Sequence, residues 1–207
     1  MNFMCYNVEN IVKDEAEVKK IYYIFLTCLI FLSLAACGAP EFSASYSSVP
    51  EEEWVWYENG TYLAGTDIPA GIYYFEYVPY KYSVKDSFGF VSVDSEKTND
   101  VILLQRFGFM KVNEGEYLTV TEGRVTQASN IPPIQERGPG MYRVGIDLPS
   151  GEYQLQAKGE TTGYAAVFKT CRTDGDNVLT EFTDVSGKSV KVSNGQYLYL
   201  GDAEIVE

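Results

Sequence analysis

Histidine is absent from all 207 residues. Without imidazole neither the usual hydrolase triads nor the common zinc ligand sets can be assembled. Basic residues are also few, 16 Lys and Arg against 29 Asp and Glu, which leaves a net charge of −13. Counterion release needs a basic patch, and the lysines here are scattered singly, so nucleic acid is excluded as a partner. The acidity reads as a well-hydrated surface rather than a cation site. Missing too, beyond the first forty residues, is any stretch that sustains a helical period. Short runs of Val, Tyr, Phe and Thr instead alternate with Gly, Asn, Asp and Pro clusters, the pattern of an all-β chain.

What is present begins with an export pattern. Lys19 and Lys20 precede an uncharged run from Ile21 to Ala36, and Leu34-Ala35-Ala36 leads into Cys37. The run is short for a membrane span, which takes about 20 apolar residues, and it has the three-part layout of a signal peptide. Leu34-Ala35-Ala36-Cys37 resembles the lipobox of bacterial lipoproteins. That resemblance implies removal of residues 1–36, a diacylglyceryl thioether on Cys37, and a chain held on the extracytoplasmic face of the cell membrane. Glu9, Asp14, Glu15 and Glu17 make the region upstream of the lysines acidic, and the alternative is translation from Val18 as an alternative start codon. Cys5 and Cys28 would leave with the signal and Cys37 would carry lipid, so Cys171 remains alone and no internal disulfide is expected. It reads as a small buried apolar side chain. Residues 37–53 are poor in large apolar side chains and read as a polar tether.

The remainder is a duplication. Gly60 to Tyr73, GTYLAGTDIPAGIY, returns as Gly140 to Tyr153, GMYRVGIDLPSGEY, and Lys111 to Leu118, KVNEGEYL, returns as Lys191 to Leu198, KVSNGQYL. Both pairs are displaced by the same interval, so the two ends of the unit are in register. This gives two tandem small domains of β-sandwich or barrel-like form, 54–128 and 140–207, joined by a Pro-containing linker at 129–139. Strands are expected at 54–57, 62–64, 73–77, 88–93, 101–107 and 116–120 in the first, and at 142–144, 153–156, 163–169, 178–182, 190–192, 196–200 and 204–206 in the second. Alternation puts Leu118, Val120, Leu198 and Leu200 on core faces. Domains of this size are marginal alone, so the two are expected to pack on one another.

The repeated motif reads as a turn. Pro69 and Pro149 suit the second position of a type I turn, Gly71 and Gly151 the fourth, and Asp67 and Asp147 accept hydrogen bonds from turn amides. Gly65 and Gly145 end the preceding strand, where either a positive φ or a close backbone approach is expected. Tyr62, Tyr73, Tyr142 and Tyr153 bury their rings and keep their hydroxyls wet. Because Asp67 and Asp147 recur, they read as turn residues rather than acid catalysts. The pattern G-x-Y-x-x-G-x-D-[IL]-P-x-G-x-Y, closing on G-x-Y-L, resembles repeats in uncharacterised surface lipoproteins of Gram-positive bacteria, which implies location and fold but no reaction. The piece DLPSGEYQL is also similar to a strand of collagen-adhesin B-type and transthyretin-like surface domains.

Chemistry is weakly signalled. Carboxylate pairs act on glycosides, but no acid here is marked by a flanking apolar pocket pattern. Asp174-Gly175-Asp176-Asn177 lacks the spaced ligands of a calcium loop and reads as a hairpin turn. No enzyme activity, cofactor or metal is expected. The most suggestive residues are aromatic: Trp54, Trp56 and Tyr57, and Tyr73, Tyr74, Phe75, Tyr77, Tyr80 and Tyr82. They either fill a tyrosine-rich core or form an exposed platform. Three readings stand: a lipid-anchored envelope protein acting as a non-catalytic binding or structural module, with an envelope protein as partner; a cell-wall glycan binder using Trp54, Trp56 and Tyr57; and an envelope hydrolase with carboxylate chemistry.

Overall fold

The computed structural model describes residues 50–79, 88–95 and 99–206. The stretch expected to be a signal peptide, Cys37, most of the expected tether, Tyr80 and Tyr82 lie outside the described residues. Among the described residues fourteen strands form, seven per repeat. The first repeat contributes β1 (Gly60–Leu63), β2 (Gly71–Tyr77), β3 (Gly89–Asp94), β4 (Asn99–Leu104), β5 (Phe107–Val112), β6 (Tyr117–Thr121) and β7 (Gly123–Gln127). The second contributes β8 (Gly140–Arg143), β9 (Gly151–Ala157), β10 (Tyr164–Phe168), β11 (Val178–Phe182), β12 (Ser189–Val192), β13 (Tyr197–Gly201) and β14 (Ala203–Val206). Among the described residues no helix is long and apolar enough to cross a membrane.

Both repeats build the same sandwich. In the first, a four-stranded sheet β1-β6-β3-β4 faces a three-stranded sheet β5-β2-β7; in the second, β8-β13-β10-β11 faces β12-β9-β14. The strand pairs within these sheets are antiparallel. Period-two alternation fills each core. Val91, Val93, Leu118 and Val120 meet Tyr73, Phe75, Val112 and Val125 in the first repeat. In the second, Val167, Leu198 and Leu200 meet Leu155, Val190 and Val192. The leucine faces expected to be buried are buried, with Leu118, Leu198 and Leu200 all at 0 % exposure.

Three strand assignments need correction in the first repeat. Residues 101–107 are not one strand: the chain leaves the four-stranded sheet at Leu104 and enters the three-stranded sheet at Phe107. The switch is hidden because VILLQRFGFM has neither Gly nor Pro at the bend. β7 was not expected, since GRVTQ is short and mostly polar, yet it pairs along β2. Residues 54–57 form no strand; only Tyr57 makes a bridge, exchanging two 2.8 Å backbone hydrogen bonds with Val125. Just before it, Glu51–Glu53 form a single 3₁₀ turn.

The repeats pack against each other and form one compact unit. Side chains on β10 and β13 that point away from the second core, Tyr164, Ala166, Phe168, Tyr197 and Tyr199, join the cluster of the first repeat. From the first repeat come Phe107 and Phe109. The Phe107 ring stands edge-on to Tyr142 at 5.3 Å and Phe109 lies 6.1 Å from Tyr197. Room for Phe107 depends on Gly140: at its φ of +144° a Cβ would sit 2.5 Å from the ring. Residues 129–139 do not hang free. Arg143 donates to the carbonyls of Ala128, Ile131 and Pro132, and the amides of Ile134 and Ile205 bond to Asp147 Oδ1 and the Arg137 carbonyl.

Candidate functional site

The repeated turn is a scaffold, and its chemistry differs from expectation in its details. Asp67 and Asp147 accept from amides four residues earlier, Leu63 N at 2.8 Å and Arg143 N at 2.7 Å, so each carboxylate closes its loop backwards onto the preceding strand. The four motif tyrosines also commit their hydroxyls to backbone, those of Tyr62 and Tyr153 at the exposed surface. Each donates to the carbonyl four residues before it: Tyr62 to Glu58, Tyr73 to Pro69, Tyr142 to Gly138 and Tyr153 to Pro149, at 2.5–2.8 Å. A G-x-Y or P-x-G-x-Y spacing is what places ring and carbonyl together. Burial pushes the Tyr73 hydroxyl up to about 12, with Tyr57 adding to the rise. Gly65 and Gly145 have φ of +90° and +97°, as expected at a left-handed position. The hydrogen-bonded turns fall at residues 65–67 and 145–147, ahead of the expected Pro-to-Gly positions; Pro69 and Pro149 follow them, and Gly71 and Gly151 already open β2 and β9.

The two aspartates sit in different surroundings. Asp67 is exposed, whereas Asp147 is 4 % exposed and is bound by Arg143 Nε at 2.9 Å and Nη2 at 2.8 Å. Leu63 occupies the equivalent of Arg143, so only the second repeat carries this ion pair. The same guanidinium lies 4.7 Å over the Phe109 ring, tying the turn, the linker and the first repeat to one side chain.

A second buried cluster crosses the seam. Arg172, in the loop between β10 and β11, places Nη1 2.9 Å from Glu116 Oε2 and Nε 2.6 Å from Asp100 Oδ2. The Nε approach is an ion pair outside hydrogen-bond geometry, and Oδ2 accepts no hydrogen bond. Asp100 Oδ1 accepts from the Thr173 amide and hydroxyl. Burial by itself would raise the Glu116 carboxyl; the amide of Asn113 and the Arg172 guanidinium outweigh it and hold the group below its usual range. Asp174 to Asn177 form a turn in the same loop, closed by Asn177 N to the Asp174 carbonyl at 2.9 Å. Cys171 is buried at 1 %, and burial pushes its thiol up to about 11, the condition of an inert thiol.

The aromatic trio divides. Tyr57 turns inward against Tyr62 and Tyr73, at 5.5 and 6.2 Å between ring centres. Trp56 packs near Tyr74 at 6.4 Å and takes the Arg124 guanidinium over its ring at 4.0 Å. Trp54 lies 6.2 Å from Trp56 at a 48° tilt. All three are half-buried. They therefore form a strap along the β7 edge of the three-stranded sheet rather than one flat surface.

Two surfaces not expected from the sequence stand out. The outer face of β1-β6-β3-β4 exposes Tyr117, Val101 and Leu103 at 48, 48 and 59 %, while the equivalent face of the second repeat is covered by the first. Beside it, where β4 meets β13, a cavity of about 350 Å³ opens between the repeats, lined by Phe88, Leu103, Gln105, Tyr164, Tyr199 and Asp202 with threonines at its rim. A position-by-position comparison of the two copies contains the signal for the seam. Tyr74, Phe107 and Phe109 correspond to Gln154, Gly187 and Ser189, so only the first copy has an aromatic outer face on its three-stranded sheet. Among the described residues no group of His, Cys, Asp and Glu is arranged to hold a metal ion. No protein-family model, curated protein or solved structure matches this chain.

Proposed function

We propose that this chain is a lipid-anchored protein of a bacterial cell envelope whose exported part is a non-catalytic binding or structural module. The observation that carries the modular half is the unequal burial of duplicated faces. One four-stranded sheet serves as the joint between repeats, and its equivalent presents Tyr117, Val101 and Leu103 to solvent. Exposed apolar patches of this kind mark interaction sites. The buried ionisable groups support the same reading, since Arg143, Asp147, Arg172, Asp100 and Glu116 bond to one another and to backbone. The anchor rests on Leu34-Ala35-Ala36-Cys37 behind the apolar run.

Metabolic labelling with a palmitate analogue tests the anchor: label and membrane retention are expected for the parent and loss of both for Cys37→Ala. Label persisting in that variant would sink the assignment. Wall-glycan binding through the strap is a second reading, favoured by the half-exposed Trp54 and Trp56 rings lying 6.2 Å apart. Sedimentation of the full chain with purified cell walls, lost in Trp54→Ala and Trp56→Ala, would establish it.

A further inference from the structure

The geometry points to the cavity between the repeats as a binding site for a neutral saccharide unit. This deepens the binding half of the function proposed above and rests on it, but it does not depend on the lipid anchor. The cavity joins two kinds of surface. Tyr164 and Tyr199, with ring centres 5.8 Å apart and tilted by 57°, lie beside Phe88 and Leu103, which are 48 and 59 % exposed. Across from them, Gln105 and Asp202 grip each other over the seam: Gln105 Nε2 donates to Asp202 Oδ1 at 2.6 Å, and the Asp202 amide donates to Gln105 Oε1 at 3.2 Å. Thr161, Thr162 and Thr183 line the cavity as well, and the hydroxyls of Thr161 and Thr162 donate to the carbonyls of Lys158 and Thr183.

The lining selects the ligand class. Aromatic faces are electron-rich, so they attract the weakly positive C–H faces of a pyranose as well as apolar groups. A carboxylate and an amide each have more hydrogen-bonding positions than their mutual contact uses, and they are already fixed in orientation. Among the described residues no lining residue is basic, and Asp202 and a net charge of −13 disfavour an anionic ligand. At about 350 Å³ the space lies at the small end of the range for ligand pockets, about 300–1,000 Å³. That suits one or two sugar rings better than a folded partner. Holding Asp202 in place is its own backbone, at a φ of +47° in the tight turn between β13 and β14. Tyr199 is fixed by donating its hydroxyl to the Leu103 carbonyl at 2.9 Å.

The test uses the full chain purified in detergent, titrated by calorimetry and saturation-transfer NMR with two probes, a β-1,4-linked N-acetylglucosamine tetramer and an α-1,4-linked glucose tetramer. Binding of at least one is expected, weakened about fivefold to tenfold by Phe88→Ala and by Asp202→Asn, and unchanged by Trp54→Ala. Phe88 is half exposed and Asn tolerates the left-handed position of Asp202, so both variants should melt within a few degrees of the parent, which a thermal scan checks. Binding that survives both substitutions but fails in Trp54→Ala would overturn the cavity and place the sugar on the strap, leaving the binding function standing. No binding of either tetramer at about 10 mM would overturn the ligand class. A parent chain that sediments with cell walls yet binds neither tetramer would mark a wall component other than neutral sugar and likewise overturn it.

Discussion

At the scale of the residue, duplication separates what a turn needs from what a site needs. Asp67 and Asp147 do the same backbone work, but only Asp147 is buried with an arginine. Arg143→Ala would leave that carboxylate buried without its ion pair and free the carbonyls of Ala128, Ile131 and Pro132, and such losses cost about 3–5 kcal/mol. Asp67→Ala removes one exposed hydrogen bond, worth about 0.5–1.5 kcal/mol. Denaturant titration of the two variants is expected to keep that order, and equal losses would mean that the buried pair carries no special weight. Gly140→Ala should cost about 1–3 kcal/mol because its Cβ meets the Phe107 ring. Gly151→Ala, with nothing within 4 Å of its Cβ, should lie close to the parent. The turn aspartates and glycines were legible in the sequence because local backbone geometry demands them. Arg143 was not: its partners are a carboxylate four residues away and carbonyls 11 to 15 residues upstream, a convergence only folding produces.

At the scale of the element, β6 and β13 are the same strand in two environments. Leu118 and Leu198 both fill a core. Tyr117 is 48 % exposed, whereas Tyr197 packs against Phe109, and burial raises its hydroxyl far above the ordinary tyrosine value. Tyr197→Ser is therefore expected to cost about 3–5 kcal/mol, as large aromatic truncations in cores do. Tyr117→Ser should stay within about 0.5 kcal/mol of the parent. Comparable losses at both positions would show that the outer face of β6 is covered in solution. The strands of the second repeat were read closely because each is bounded by Gly, Asn or Asp. In the first, the switch at Gln105 and Arg106 carries no such punctuation, and period-two alternation has no means of reporting which sheet a strand joins.

At the scale of the whole molecule, the seam makes two marginal sandwiches interdependent. One cooperative unfolding transition is expected by calorimetry, and Arg172→Ala should split or broaden it, because the arginine binds Asp100 and Glu116 of the other repeat. Two separated transitions in the parent would show the seam to be weak. Acid should act here as well. The Glu116 carboxyl is held below its usual range when folded, so its contribution is complete above the ordinary Glu value of about 4.3. That contribution disappears as pH falls through the lower folded value. Melting temperatures measured from neutral pH down to about 3 should fall less steeply for Glu116→Gln than for the parent.

The sequence by itself determined the β class, the duplication and the core leucines, because each follows from neighbours a few residues apart or from a pattern repeated at a fixed interval. Tertiary structure alone decided which copy of the four-stranded sheet is covered. It also turned Tyr57 inward and set Arg124 over Trp56, brought Arg172 to Asp100 and Glu116, and opened the cavity beside Tyr199. Those outcomes depend on groups far apart in the chain meeting across a seam, and the geometry of that meeting is written in no local run of residues.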